Sequence, residues 1–122
     1  MFTPQYSALL APRDAQKRVM LADEIRKGSI HHASATQRIT APDGKKQIWL
    51  IDMRPLLLNS KCIDAIADMF WDDYASKMPF QLGGMEVAAI PLLSALLLKA
   101  EQRGLSVNGF IVRKQRKTYG LS

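Results

Sequence analysis

Hydrophobic positions recur along this chain with two periods, and the places where the period changes mark its elements. Over residues 14–27, apolar Val19, Ala22 and Ile25 return every three positions, Asp14 stands where a cap belongs, and Gly28 follows at the usual stop position. A helix is predicted there. Stretches 37–40 and 47–51 then flank Ala41-Pro42-Asp43-Gly44-Lys45-Lys46. Pro presets φ and Gly tolerates positive φ, so this segment predicts a β-hairpin. After Arg54-Pro55, residues Ile63, Ile66, Ala67, Phe70 and Tyr74 fall at i, i+3, i+4, i+7 and i+11. That is one helical face over 61–77, with Asn59 or Ser60 as N-cap. Residues 80–82 read as a short buried strand running into a Gly83-Gly84 turn. The stretch 87–103 is apolar nearly all round, which predicts a helix packed on a sheet and ended by Gly104, and 109–112 is the next strand. Strand, turn, helix and strand make a βαβ unit whose right-handed crossover sets the two strands parallel. The expected fold class is α/β: a helix-plus-hairpin portion over 1–58, then the start of an α/β core over 59–122. No repeat or linker divides the chain, so one cooperative unit is expected.

Composition narrows the class without naming a function. The 122 residues are 48% hydrophobic and 23% charged, which excludes wholesale disorder. The longest apolar stretch, 87–98, is too short to span a bilayer and contains Pro91 and Ser94. Cys62 stands alone, so no intramolecular disulfide framework exists, and no basic-then-apolar leader opens the chain. A soluble cytoplasmic domain is the expectation. The formal net charge of +6 points to an anionic partner only if it is clustered. It is: Arg113, Lys114, Arg116 and Lys117, within five residues, account for four of the six charges.

Two constellations carry chemistry. Backbone N–H groups at a Gly83-Gly84 turn before a helix could cradle a phosphate. Glu86 would repel such a phosphate, so a cation must compensate. The basic segment begins where strand 109–112 ends, and ligands of α/β sheets gather at the carboxyl ends of strands. Parallel pairing would bring both to one crevice. Asp64, Asp68 and Asp72 recur at i, i+4 and i+8, away from the apolar stripe, and read as a solvated helix face and not a cation site. His31-His32 reads as loop and Cys62 as a packing residue. No nucleophile elbow, Walker-type loop or zinc signature is present, and no metal site is expected.

Three segments, taken in order, resemble the orotate phosphoribosyltransferases of the type I phosphoribosyltransferase group. Gly44-Lys45 leading through Ile48-Trp49-Leu50 to Asp52-Met53-Arg54 looks like the family's aromatic strand ending in Asp-x-Arg. Gly84 through Ile90-Pro91-Leu92 looks like its G-x-x-x-x-G-I-P-L-A loop and helix. Arg113-Lys114 through Lys117 to Gly120 looks like its R-K-x-x-K-x-x-G signature. The resemblance implies transfer of ribose 5-phosphate from phosphoribosyl pyrophosphate to orotate or a related pyrimidine, with Mg²⁺ bound alongside the donor. It implies that Arg113, Lys114 and Lys117, with Gly83 and Gly84, hold pyrophosphate, and that Lys117 serves catalysis at the start of a mobile loop. Lys45 would face the acceptor base. A homodimer, or a complementing C-terminal half, would be the partner.

The pattern also departs from the family. Ala88 stands where many members have lysine, Pro42-Asp43-Gly44-Lys45 replaces Lys-Ser-Gly-Arg, and Tyr119 replaces a histidine. The donor motif D-D-x-x-T-x-G does not occur; Asp72-Asp73 lies in the predicted helix without the following loop. The expectation is therefore the N-terminal part of such an enzyme, truncated before that motif and inactive alone. Two other readings stand beside it. One is a dimerising or regulatory remnant without activity. The other is a small nucleic-acid binder, against which Tyr119 as the sole aromatic beside the cations argues.

Overall fold

The structure, a computed structural model, describes residues 12–116 and 118–120. Its contacts divide the chain into two compact units, Met1–Cys62 and Ile63–Ser122.

In the first unit, helix α1 (Pro12–Gly28) starts two residues before Asp14, which therefore lies inside the helix instead of capping it. Gly28 is its last residue and not a left-handed stop. The Ser29 N–H still donates to the Ile25 carbonyl at 3.0 Å, and the chain passes directly into strand β1 (Ile30–His32). The buried stripe also differs from the expected one: Leu21 is buried, whereas Val19 is 70% exposed. Strand β2 (Ile39–Thr40) pairs antiparallel with β3 (Lys46–Gln47), Ile39 opposite Gln47 and Thr40 opposite Lys46. The predicted turn forms between them. Gly44 takes φ +82° and donates its N–H to the Ala41 carbonyl, while Asp43 Oδ1 accepts the Lys45 N–H at 3.1 Å.

The hairpin is shorter than predicted because β4 (Trp49–Ile51) leaves it for β1. Ile30 pairs with Ile51, His31 with Leu50 and His32 with Trp49. The Ala33 N–H to Ile48 carbonyl and the Asp52 N–H to Ser29 carbonyl bonds extend that ladder at both ends. His31-His32 is thus strand, not loop. A single turn of helix, α2 (Arg54–Leu57), follows and buries Leu56.

Helix α3 (Ser60–Tyr74) starts where Asn59 was expected to cap it: Asn59 Oδ1 accepts the Cys62 N–H at 3.1 Å. It ends at Tyr74, and a 3₁₀ turn (Ala75–Lys77) takes up the rest of the predicted span. In the second unit, the core gathers about Trp71, which is fully buried. Its ring meets Phe70 edge-on at 5.1 Å and stacks on Phe80 at 5.9 Å. Burial would leave the indole N–H unpaired, so Nε1 donates to the Leu96 carbonyl at 2.9 Å.

Strand β5 (Leu82–Met85), helix α4 (Ala89–Gln102) and strand β6 (Gly109–Val112) are the expected βαβ unit. The strands pair in parallel, Leu82 level with Gly109 and Met85 with Val112. Leu93, Leu96 and Ala100 of α4 are buried in the core. Gly104 ends the helix in the left-handed region at φ +69°. It donates to the Glu101 carbonyl while Leu105 donates to Ala100, the paired capping bonds such a stop requires.

Gly83-Gly84 is not a turn. Both residues lie inside β5, level with Phe110 and Ile111, and the turn follows at 86–88. Close packing accounts for both glycines. A Cβ on Gly83 would lie 2.3 Å from the Phe110 ring, and one on Gly84 would lie 2.4 Å from the Ala89 Cβ.

The acidic row of α3 is solvated only in part: Asp64 is exposed, Asp68 is covered, and all three carboxylates are paired to α4. Lys99 Nζ of α4 lies 2.6 Å from Asp64 Oδ1 and 3.3 Å from Asp68 Oδ1, and Arg103 reaches Asp68 at 2.8 Å and Asp72 at 2.7 Å. Lys99 and Arg103 are themselves four apart, so their spacing on α4 matches the acidic row turn for turn. The hydrogen bond to Asp64 raises the Lys99 pKa above its usual value, against the opposing effect of burial.

Candidate functional site

The parallel register determines what gathers at the carboxyl end of the strand pair. Because Met85 is level with Val112, the next residues, Glu86 and Arg113, emerge side by side. The Glu86 N–H donates to the Val112 carbonyl at 3.0 Å, which ties the start of the turn to β6. Beyond it the Glu86–Val87 peptide is cis, and the Ile90 N–H closes on the Val87 carbonyl at 3.1 Å as α4 begins. The Glu86 carboxylate bridges to the basic segment: Oε1 accepts the Lys114 backbone N–H at 3.2 Å, and Oε2 lies 3.5 Å from Arg113 Nε. The cation needed to offset Glu86 is therefore Arg113. The signal for it was the parallel register, which makes the two residues that follow paired strand ends neighbours.

Of the residues singled out in the sequence, Arg113 and Lys114 meet at this strand end. Gly83 and Gly84 lie within β5 just before it. Arg116 is exposed in the same segment, and Lys117 lies outside the described residues. Lys45 is in the other unit, at the hairpin tip, with Nζ 3.2 Å from Asp43 Oδ2 in the same turn. Also in that unit, Asp52 holds Arg54 in a bidentate pair. Arg54 Nε donates to Oδ1 at 2.8 Å and Nη2 to Oδ2 at 2.6 Å. These bonds lower the Asp52 pKa to about 2. Among the described residues, no group of three or more His, Cys, Asp or Glu could hold a metal ion. Among them, too, no helix is long and apolar enough to cross a membrane.

A strand end of this kind, with a turn and a helix on one strand and cations on its parallel neighbour, suits a phosphorylated ligand. Solved structures give the fold. The chain superposes on a phosphoribosyltransferase from Corynebacterium diphtheriae with a TM-score of 0.62 and 17% identity, covering 87% of this chain and 55% of that one. The orotate phosphoribosyltransferase of Mycobacterium tuberculosis H37Rv, solved with Fe(III) dicitrate, gives a TM-score of 0.60 at 23% identity, covering 85% and 55%. The fold is α/β, of the phosphoribosyltransferase kind.

Sequence likeness goes further. An orotate phosphoribosyltransferase of Tropheryma whipplei (strain Twist) is 32% identical over 80 residues, 65% of this chain and 37% of the relative. One from Rhodopseudomonas palustris (strain TIE-1) is 26% identical over 103 residues, 84% of this chain and 53% of the relative. No family model matches the sequence. The chain is orotate phosphoribosyltransferase-like, and the likeness lies mainly in the N-terminal part of those proteins. It spans about half of their length or less.

Proposed function

We propose that this chain supplies the pyrophosphate-binding part of an enzyme that transfers ribose 5-phosphate from phosphoribosyl pyrophosphate to orotate or a related pyrimidine. The observation that carries this reading is the parallel β5–β6 register, which sets the Arg113–Lys114 segment beside the turn that opens α4. The transition state of such a transfer is oxocarbenium-like, and negative charge accumulates on the departing pyrophosphate. Fixed cations at that position lower the barrier because they meet charge that grows as the bond breaks. Arg113 and Lys114 have that role, and Lys117, which lies outside the described residues, joins them by resemblance to the family. Gly83 and Gly84 serve it indirectly, by letting Phe110 and the start of α4 close onto the strand. Lys45 is the candidate for the acceptor side. A loop beginning at Lys117 would exclude water from the activated sugar.

Magnesium would enter with the donor: Mg²⁺ is ordinarily held by substrate phosphates with one or two carboxylates, and among the described residues no group of three or more His, Cys, Asp or Glu could hold it alone. The motif D-D-x-x-T-x-G does not occur in the 122 residues; in this reading a second polypeptide that carries it would hold the donor's ribose and 5′-phosphate. A second chain fits the bare sheet face. Gly109 faces Leu93 and Leu97 of α4, so alternation turns Phe110 and Val112 to the opposite face, where both are exposed along with Met85. Parallel strands are ordinarily covered on both faces. The same observation supports a second reading, in which the chain associates through this face as a dimerising or regulatory protein without activity.

The test is orotate consumption with phosphoribosyl pyrophosphate and Mg²⁺, using the chain alone and mixed with the C-terminal part of the T. whipplei relative. Turnover is expected only in the mixture. Dimerisation with neither turnover nor pyrophosphate binding would overturn the enzymatic reading in favour of the second.

A further inference from the structure

The strand end already holds an anion, the carboxylate of Glu86, against the Arg113 guanidinium and the Lys114 backbone N–H. One of its oxygens accepts the Lys114 N–H at 3.2 Å and the other lies 3.5 Å from Arg113 Nε. Two oxygens on one centre, directed at a backbone N–H and a guanidinium, are also what a phosphoryl group offers such a site. We propose that Glu86 is a tethered competitor that occupies the anion site and sets the charge a ligand must carry to enter. The inference rests on reading Arg113 and Lys114 as the pyrophosphate-binding segment and adds a selectivity device to it.

The geometry explains how the device works. The backbone of Glu86 is held by its N–H to the Val112 carbonyl, so the carboxylate stays at high effective concentration beside its partners. Its side chain is 27% exposed and that of Arg113 is 44% exposed, so the pair faces solvent and an entering anion can displace it. A singly charged anion offers Arg113 no more than Glu86 does and gains nothing by exchange. A diphosphate offers several charges and more oxygens, so it can engage the freed groups and the neighbouring cations together. The ligand class selected is a di- or polyphosphate over a monophosphate or a carboxylate.

The experiment is calorimetric titration of the full chain with inorganic pyrophosphate and with inorganic phosphate. It compares the natural sequence with Glu86→Gln, Arg113→Gln and the double variant, each first checked for an unchanged melting temperature. Glu86→Gln is expected to bind pyrophosphate about fivefold more tightly, the scale of a partly exposed ion pair. Phosphate should gain by a similar factor, so that an anion too weak to displace the carboxylate in the natural sequence becomes detectable, and adding Arg113→Gln should abolish the gain. Glu86→Asp, which keeps the charge on a shorter arm, should fall between and serves as the readout if Glu86→Gln does not fold. Unchanged or weaker binding in Glu86→Gln, with Arg113→Gln still weakening pyrophosphate, would overturn the competitor and leave the pyrophosphate site standing. If Arg113→Gln changes nothing, or no protein binds pyrophosphate, the site reading fails and the competitor fails with it.

Discussion

The two units place their apolar residues differently. In Ile63–Ser122 they converge: Ala67, Leu82, Leu93, Leu96 and Ala100 surround Trp71, with Phe70, Phe80 and Leu105 packed at the margin. In Met1–Cys62 Leu21, Leu56 and Cys62 are buried, but Ile48 and the strand residues Trp49, Leu50 and Ile51 are all exposed, and the ladders are two or three residues long. The difference separates two ways of fixing a conformation. The second unit is held by burial around one ring. The first depends more on local hydrogen bonds, such as the Asp43 turn and the Ser34 hydroxyl, which accepts the Gln37 N–H at 3.0 Å. The candidate strand end belongs to the better-packed unit, as a site that must hold donors in register requires.

The largest expected effect comes from removing the centre of that core. Trp71→Ala takes away a fully buried ring, both aromatic contacts and the indole bond to Leu96, and should destabilise the second unit by about 3–5 kcal/mol. Denaturant unfolding read by amide exchange in α4 and β6 measures it. If exchange in β2 and β3 accelerates equally, the two units unfold as one, and the contrast between them does not extend to stability.

A smaller effect separates two kinds of glycine, one in each unit. Gly83→Ala would drive a methyl into the Phe110 ring, at 2.3 Å, and should cost about 1–3 kcal/mol as an overpacking. Gly44→Ala meets no neighbouring atom within 4 Å but inherits a φ of +82°, so its cost is conformational and about 1 kcal/mol. Phe110→Ala tells them apart. It should relieve Gly83→Ala in the double variant and leave Gly44→Ala unaffected, with thermal unfolding of each pair as the measurement. Failure of that relief would mean that Gly83 is required for something other than space beneath the ring.

How much of this was legible in the sequence follows from how local each signal is. The α3 periodicity, the Gly104 stop, the strand at Gly109–Val112 and the Asp43-Gly44 turn each depend on residues within one or two turns of chain, and all appear in the structure. The β1–β4 pairing joins three-residue strands far apart in sequence, with two histidines on one of them, and nothing local announces it. Gly83-Gly84 misled because a glycine pair is equally at home in a turn and in a strand that must admit a ring. The row Asp64, Asp68, Asp72 has the same spacing whether it faces water or a second helix; only Lys99 and Arg103, four apart on α4, decide between these. Arg113 and Lys114 were legible as a cluster, but their partner was not. Glu86 is far from them along the chain, and the parallel register alone brings the three together.

The smallest effects lie at the extremes of pH and should again divide the units. Asp52, in the first unit, is held down to about 2 from its usual 3.8 chiefly by the Arg54 side-chain hydrogen bonds. A lowered carboxyl pKa contributes stability that is fully present above the unfolded value. That contribution is lost as pH falls from near 4 towards 2. Lys99, in the second unit, is raised above its usual 10.5, chiefly by Asp64, so its contribution is complete below that value and fades as pH rises beyond it. Carboxyl and amine NMR titrations measure the two midpoints directly. Arg54→Gln should return the Asp52 midpoint towards 3.8 without moving Lys99, and Asp64→Asn should lower the Lys99 midpoint without moving Asp52. Salt provides the finer test. Each pair joins a covered group to an exposed one, Asp52 at 18% with Arg54 at 74% and Lys99 at 15% with Asp64 at 61%, but Lys99 also has Asp68, only 18% exposed, at 3.3 Å. Added salt should therefore shrink the acid shift more than the alkaline one. Equal shrinkage would show that the aspartate ladder of α3 is as open to water as the surface pair, and would remove electrostatics from what distinguishes the two units.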